Sequence, residues 1–391
     1  MKIPVSLRSA RDYQPAGLRA ILIDLLEPLG GMNSFIRPGQ KVLVKPNMLA
    51  GKPPDRAVTT HPELVRQVIL MVREAGGDVM VGDSPGLGKP DVVARKCGIM
   101  QVIDDTGVKF APFADSVPLR TADGTFHQLE VAREALDAEV IINLPKLKTH
   151  QMMGFTGGVK NLFGLVVGMR KARLHLQAGT DKEFFALMLL ELAEKFPPAL
   201  TILDGILGME GDGPGSGDPV STGVLIASPN PLALDTVAVD LIGLRPGQVW
   251  TQRVAIRTGR FGSRLDDLEL HGPPLRELRP PSFRPSKTTD VNFGLPGFLR
   301  HPLKNSLTAR PVPDLQKCKL CGDCVTHCPP RAMRIGEKHL EIDYSRCIRC
   351  FCCQELCPEG ALTTNQGLLL RLSRFIGSRS HSGQHEKNTD H

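Results

Sequence analysis

No run of residues is apolar for long enough to span a bilayer, and residues 1–18 lack the uninterrupted apolar core of a secretory signal. A cytoplasmic location is therefore expected. Nucleotide signatures are missing as well: Gly82-x-x-x-Gly86-x-Gly88 departs in spacing from the dinucleotide fingerprint, and Gly205-x-x-Gly208 lacks the lysine and hydroxyl of a P-loop. Neither Walker-type ATP hydrolysis nor nicotinamide binding is expected. There is also no Ser/His/Asp order or activated-cysteine context to favour a covalent hydrolase.

What the chain does have is cysteine in a dense C-terminal pattern. Eight of its ten cysteines form two runs of one form, Cys318-x2-Cys321-x2-Cys324-x3-Cys328-Pro329 and Cys347-x2-Cys350-x2-Cys353-x3-Cys357-Pro358. Three thiolates on one tight loop take three corners of a cubane, while the fourth, followed by proline, points to the partner cluster. On that geometry Cys318, Cys321, Cys324 and Cys357 hold one [4Fe–4S] cluster, and Cys347, Cys350, Cys353 and Cys328 hold the other. Zinc takes a single tetrahedral set and fits this pattern poorly. The runs repeat at an offset of 29 residues, 347 − 318, and so mark a duplicated half resembling the bacterial two-cluster ferredoxins. Cys352 and Cys97 stand outside the pattern, the first as a spare thiol between ligands and the second as a small buried residue.

Free thiols at this density belong in a reducing compartment. The formal charge of +7 overstates the basicity of a loaded protein. Two oxidised clusters with their thiolates bring about −2 each, leaving about +3, so nucleic acid is not an expected partner. The positive excess is local: residues 271–317 carry eight Lys/Arg against three Asp/Glu, together with nine prolines.

At 391 residues more than one folding unit is expected. Residues 1–270 alternate short apolar runs with amphipathic stretches, the pattern of an α/β domain with a largely parallel sheet and flanking helices. Strands are expected over 41–45, 78–82, 108–112, 139–144, 200–203 and 223–227. Helices are expected over 15–29, 61–75, 90–100, 181–196 and 231–241, with Thr60 capping the second. Residues 271–317 read as a Pro-rich basic linker, 318–366 as a small α+β ferredoxin-like domain with two clusters, and 367–391 as an amphipathic segment and polar tail. Residues 368–376 suit a docking helix or a weak membrane-surface contact.

Ligands of parallel α/β sheets collect beyond the carboxyl ends of strands. The strands here run into Lys45-Pro46-Asn47, into Asp83-Ser84, into Lys146-Leu147-Lys148-Thr149-His150 and into Asp204-Gly205, with Gly157-Gly158-Val159-Lys160-Asn161 nearby. Lys146, Lys148, Lys160, His150, Asp83 and Asp204 are the candidate catalytic groups. Lys45, Asn47, Gly157, Gly158 and Asn161 are candidates for an anion or cofactor pocket. Glu210 and Asp212 are further acid/base or metal candidates, and His175 is a possible proton donor that more commonly reads as a surface residue.

The motifs Lys45-Pro46-Asn47, Thr60-His61-Pro62, Gly82-Asp83-Ser84-Pro85, Asn143 through His150, Gly158-Val159-Lys160-Asn161 and Ser228-Pro229-Asn230-Pro231 resemble the family known as domain of unknown function 362. Its members often carry a fused two-cluster ferredoxin module. The resemblance covers about residues 35–245 and implies a shared fold and pocket without a settled reaction. Two functions are expected to compete: a redox enzyme passing electrons from a donor protein to an anionic substrate or cofactor in the N-terminal pocket, or a non-catalytic electron carrier or assembly factor docking to an oxidoreductase complex.

Overall fold

Short β-branched runs build the sheet of the larger unit, because branched side chains pack well on a pleated surface covered on both faces. The computed structural model describes residues 2–86, 88–120, 124–126, 128–168, 170–179, 181–287 and 308–367. The chain divides into two units, Met1–Ser286 and Lys287–His391. Strands of the first are β1 (Ile3–Ser9), β2 (Lys41–Pro46), β3 (Asp78–Val81), β4 (Lys109–Phe110), β5 (Ser116–Arg120), β6 (Gln128–Ala132), β7 (Val140–Leu144), β8 (Lys146–His150), β9 (Gly154–Thr156), β10 (Leu200–Glu210), β11 (Asp218–Ser228) and β12 (Leu268–His271). The main sheet runs in the order β12-β1-β11-β10-β7-β2-β3-β4, while β5 and β6 form a separate hairpin.

Pairing is parallel from β10 through β7, β2 and β3 to β4, whereas β11 lies antiparallel to β1 and β10. The α/β class with a largely parallel sheet thus holds. Alternation sorts the side chains into two cores. Val42, Val44, Ile142 and Ile202 face helices Pro15–Leu26 and Pro62–Glu74. Val5, Leu7, Leu203 and Ile226 face helix Pro231–Leu241 on the other side. Among the described residues no helix is long and apolar enough to cross a membrane.

Several local expectations shift. The helix expected over 90–100 breaks into Pro90–Lys96 and Ile99–Thr106, because Gly98 turns left-handed at φ 80°. Helix Pro62–Glu74 is capped by His61, whose Nδ1 accepts the Glu63 N–H at 3.2 Å. Thr60 instead donates its hydroxyl to the Leu144 carbonyl at 2.6 Å and accepts the Asn47 N–H.

The second unit contains β13 (Ala309–Pro313), β14 (Met333–Ile335), β15 (Leu340–Ile342) and β16 (Leu362–Gln366), paired antiparallel as β13–β16 and β14–β15. The segment read as a linker over 271–317 is therefore divided between the units. Arg284 donates its N–H to Glu210 at 2.7 Å and ion-pairs with Asp218 in the larger unit, and β13 pairs inside the smaller one. The amphipathic segment at 368–376 lies outside the described residues.

Candidate functional site

The cysteine repeat is also a backbone repeat. Leu320 and Arg349, Gly322 and Phe351, and Arg331 and Gly360 are pairs at the 29-residue offset, and all six have positive φ, between 51° and 85°. Four of them are not glycine. Side chains persist in that region only where the surroundings over-determine it, and here the strained turns wrap the loop around its own sulfurs. At equivalent places the Ala332 N–H points at Cys328 Sγ (3.3 Å) and the Ala361 N–H at Cys357 Sγ (3.2 Å). Backbone donors aimed at sulfur favour the thiolate, the form that binds metal.

Cys318, Cys321, Cys324 and Cys357 line one cleft of about 400 Å³, part of it open to solvent. Burial pushes the Cys324 thiol up to about 11, and its charged neighbours Cys357, Cys321 and Cys318 add to the shift. Burial likewise raises Cys353, with Cys350, Cys347, Cys324 and Cys328 following in that order. Crowded, half-buried thiols that resist ionising in one another's company fit a bound cation core, which would discharge them together. Among the described residues no three His, Cys, Asp or Glu side chains converge tightly enough to grip a lone metal ion. A cluster in each quartet would supply one-electron redox chemistry.

In the larger unit the strand ends carry a buried polar network. Pro145 interrupts the ladder between β7 and β8, both of which pair parallel with β10, so 140–150 behaves as one bent strand. Leu147 enters the core while Lys146 and Lys148 face the other way. Lys146 Nζ lies 2.8 Å from Asp204 Oδ2 and 3.0 Å from the Tyr13 hydroxyl, which donates to Asp204 Oδ1 at 2.6 Å. Asp204 Oδ2 also accepts the His61 N–H at 2.9 Å. The His61 and Tyr13 rings stack 3.6 Å apart. Lys45 pairs with Asp83 at 2.7 Å. Lys148 donates to Asn47 Oδ1 and the Val58 carbonyl, and Asn47, Asn161 and Asn143 bond in series.

The expected cationic pocket is thereby corrected. Lys45, Lys146 and Lys148 are 0 % exposed, and their charges are directed to partners within the chain because an unpaired buried ammonium costs far more than a paired one. Burial lowers the pKa of Lys45 and Lys146, against the pull of Asp83 and Asp204. The backbone N–H groups of Gly158 and Val159 do converge on a carboxyl, but the carboxyl is the protein's own. Asp235 of helix Pro231–Leu241 accepts the Gly158 N–H at 2.5 Å and the Val159 N–H at 3.0 Å, and a Cβ at Gly157 would land 2.0 Å from Asp235 Oδ1.

The other candidates separate from this network in various ways. His150 is buried, with Nδ1 accepting the N–H groups of Met152 and Met153. Lys160 is half-buried, its ammonium 5.7 Å from the Phe163 ring centre. Glu210 pairs with Arg284, and Asp212 accepts from Gln151 at 3.2 Å. His175 is not on the surface: it stacks on Phe185 at 4.2 Å. Sequence reasoning missed Tyr13, which no motif surrounds, and gave His61 no role. Both are half-buried, so they connect the sealed Lys146–Asp204 pair to the surface. Burial pushes His61 down to about 4, with Asp204 opposing and Lys146 assisting, leaving a neutral imidazole whose Nδ1 already accepts. Burial first, then Asp204, raises the Tyr13 phenol. Tyr13, Lys146 and Asp204 thus form one hydrogen-bonded group, with the His61 backbone N–H anchored on Asp204 and the His61 ring stacked over Tyr13.

Comparison with known proteins agrees with both halves. A thylakoid-associated protein of Synechocystis sp. is 41 % identical over 303 residues, 77 % of this chain and 94 % of that protein. The pyruvate synthase subunit PorD of Methanocaldococcus jannaschii is 39 % identical over 57 residues, 14 % of this chain and 66 % of that one. Among solved structures, the lactate racemase apoprotein from Thermoanaerobacterium thermosaccharolyticum aligns at TM-score 0.36 and 14 % identity over 57 % of this chain and 53 % of its own. A Thermotoga maritima protein aligns at 0.33 and 15 %, covering 52 % of each. The chain thus spans about half the length of those two structures. The model of a 4Fe–4S dicluster domain matches residues 310–358, making this an iron–sulfur protein with a ferredoxin-like domain. With the model of the domain of unknown function DUF362 matching residues 42–240, the chain belongs to that family.

Proposed function

We propose that this protein relays single electrons through two [4Fe–4S] clusters, one held by Cys318, Cys321, Cys324 and Cys357 and the other by Cys347, Cys350, Cys353 and Cys328. The electrons move between a partner protein and chemistry at the strand ends of the larger unit. The observation that carries the reading is the crossed grouping of the thiols: Cys357, from the second run, lines one cleft with Cys318, Cys321 and Cys324 of the first. The similarity of 57 residues to a pyruvate synthase subunit supports exchange with another protein. In the larger unit Lys146 and Tyr13, bonded to each other and to Asp204, carry the protons that accompany the electrons, and the His61 ring covers Tyr13. A substrate meets His61 and Tyr13 rather than the sealed lysines.

A second reading, a carrier or assembly factor with no substrate of its own, is favoured by the burial of Lys45, Lys146 and Lys148 against internal partners. It also suits a family relative described as thylakoid-associated. Anaerobic reconstitution with iron and sulfide counting tests the clusters: about eight irons per chain is expected, and zinc without visible absorbance overturns the reading. Tyr13→Phe then separates the two functions. Loss of the cellular role with the iron count unchanged supports the enzyme. Retention of that role, together with its loss on deletion of 368–391, supports the carrier.

A further inference from the structure

The two ring nitrogens of His61 stand in different surroundings, and the difference fixes what the ring can offer. We infer that His61 binds substrate through its Nε2–H, as a neutral hydrogen-bond donor to the oxygen of an uncharged carbonyl compound. This rests on the reading of the strand ends as the place where a substrate meets the larger unit.

The Glu63 N–H donates to His61 Nδ1 at 3.2 Å, capping helix Pro62–Glu74. A nitrogen that accepts carries no proton, so the proton of the neutral ring is on Nε2. Protonating Nδ1 as well would set donor against donor and strip the helix of its cap. Burial, which holds the pKa down to about 4, works in the same direction. The residue is also pinned: its backbone N–H donates to Asp204 Oδ2 at 2.9 Å, and its ring lies 3.6 Å from the Tyr13 ring and within 8° of parallel. Among the described residues no hydrogen bond engages Nε2, and the side chain is half-buried rather than sealed.

Tyr13 cannot take this part. Its hydroxyl donates to Asp204 at 2.6 Å and accepts from Lys146 at 3.0 Å and from the Leu207 N–H at 3.1 Å, which uses its donor and both lone pairs. Lys146 and Asp204 are 0 % exposed and bonded to each other. Of these side chains, His61 alone keeps a donor for a molecule arriving from solvent. Charge then selects the class of that molecule. The Lys146 and Asp204 charges oppose each other, and Asp204 acts on the ring more strongly than Lys146 does. A carboxylate or phosphate would meet a neutral donor backed by a negative charge, whereas a carbonyl oxygen meets no repulsion. Alcohols and ethers also accept hydrogen bonds but do not take up electrons as a carbonyl does. An oxygen that gains negative charge during reduction is held more tightly by such a donor.

Full-length, anaerobically loaded protein carrying ¹⁵N-histidine, with iron counted on the same sample, is titrated with cyclohexanone and separately with acetate, and read by long-range ¹H–¹⁵N correlation. The His61 signals, assigned by their loss in His61→Gln, should show the Nε2–H tautomer at neutral pH. Cyclohexanone should shift the His61 Nε2 resonance saturably, and acetate should not. Saturation-transfer measurements on the ketone should give binding about tenfold weaker for His61→Phe, which keeps a ring over Tyr13 without a donor, and a smaller loss for His61→Gln, which keeps an amide N–H. Where His61→Phe does not fold, the tautomer and the two titrations of the unaltered chain decide. A proton on Nδ1, an imidazolium at neutral pH, no response to cyclohexanone, or an equal response to acetate overturns the assignment, and an iron count near eight then leaves the electron relay standing. Zinc in place of iron, with the cyclohexanone response intact, overturns the relay and leaves the carbonyl contact.

Discussion

Asp235 shows how one side chain can use up a site that looks ready for a ligand. It is 2 % exposed and accepts two backbone N–H groups, yet burial outweighs those bonds and pushes its pKa up to about 7. Between its unfolded value of 3.8 and about 7 the native state binds the proton and the unfolded chain does not. Its contribution to stability is therefore complete below about pH 4 and is lost as pH rises to about 7, with a slope of at most about 1.4 kcal/mol per pH unit. Denaturant unfolding of the larger unit at a series of pH values should show that fall, and Asp235→Asn should flatten it. A slope unchanged by the substitution would exclude Asp235 as its source. The glycine pair and the lysines were legible as groups that bind anions, because their chemistry is local. That the carboxyl partners are Asp235, Asp83 and Asp204 was not legible, since each pairing joins residues far apart in sequence.

At the scale of elements, the parallel strands β2, β3 and β7 were legible from their apolar runs, and the helix expected over 231–241 forms with those bounds. Strand β8 was not legible. Its lysines read as a polar strand end, but continuation past Pro145 along β10 buries them. Strand β13 was hidden for a related reason: Pro311 and Pro313 look like linker, although an edge strand tolerates proline. Its pairing with β16 places Ala309, fully buried, against Phe351, also buried, in the loop that carries Cys350 and Cys353. Ala309→Glu buries an unpaired charge at that contact, which costs several kcal/mol. Cluster absorbance of the loaded protein in air should then bleach several-fold faster than in the unaltered chain. Equal bleaching rates would show that β13 does not brace the ligand loop.

At the scale of the whole chain, the two units differ in what holds them together. The larger unit has two extensive hydrophobic cores on opposite faces of its sheet. Among the described residues, the smaller unit's main buried cluster is Met333, Leu340, Cys353 and Leu362, with four further ligand cysteines, Cys318, Cys324, Cys328 and Cys357, packed against it. So small an apolar core cannot offset the conformational entropy of ordering the unit, and metal–thiolate bonds must supply the rest. Iron removal should therefore unfold one unit and spare the other. Scanning calorimetry of the loaded chain should give two transitions, and a strong iron chelator under reducing conditions should abolish the smaller one. The larger transition, and most of the far-ultraviolet helix signal, should stay where they were. If the chelator instead moves a single cooperative transition, the larger unit depends on the clusters for its fold, and the electron relay and the strand-end chemistry are one cooperative structure.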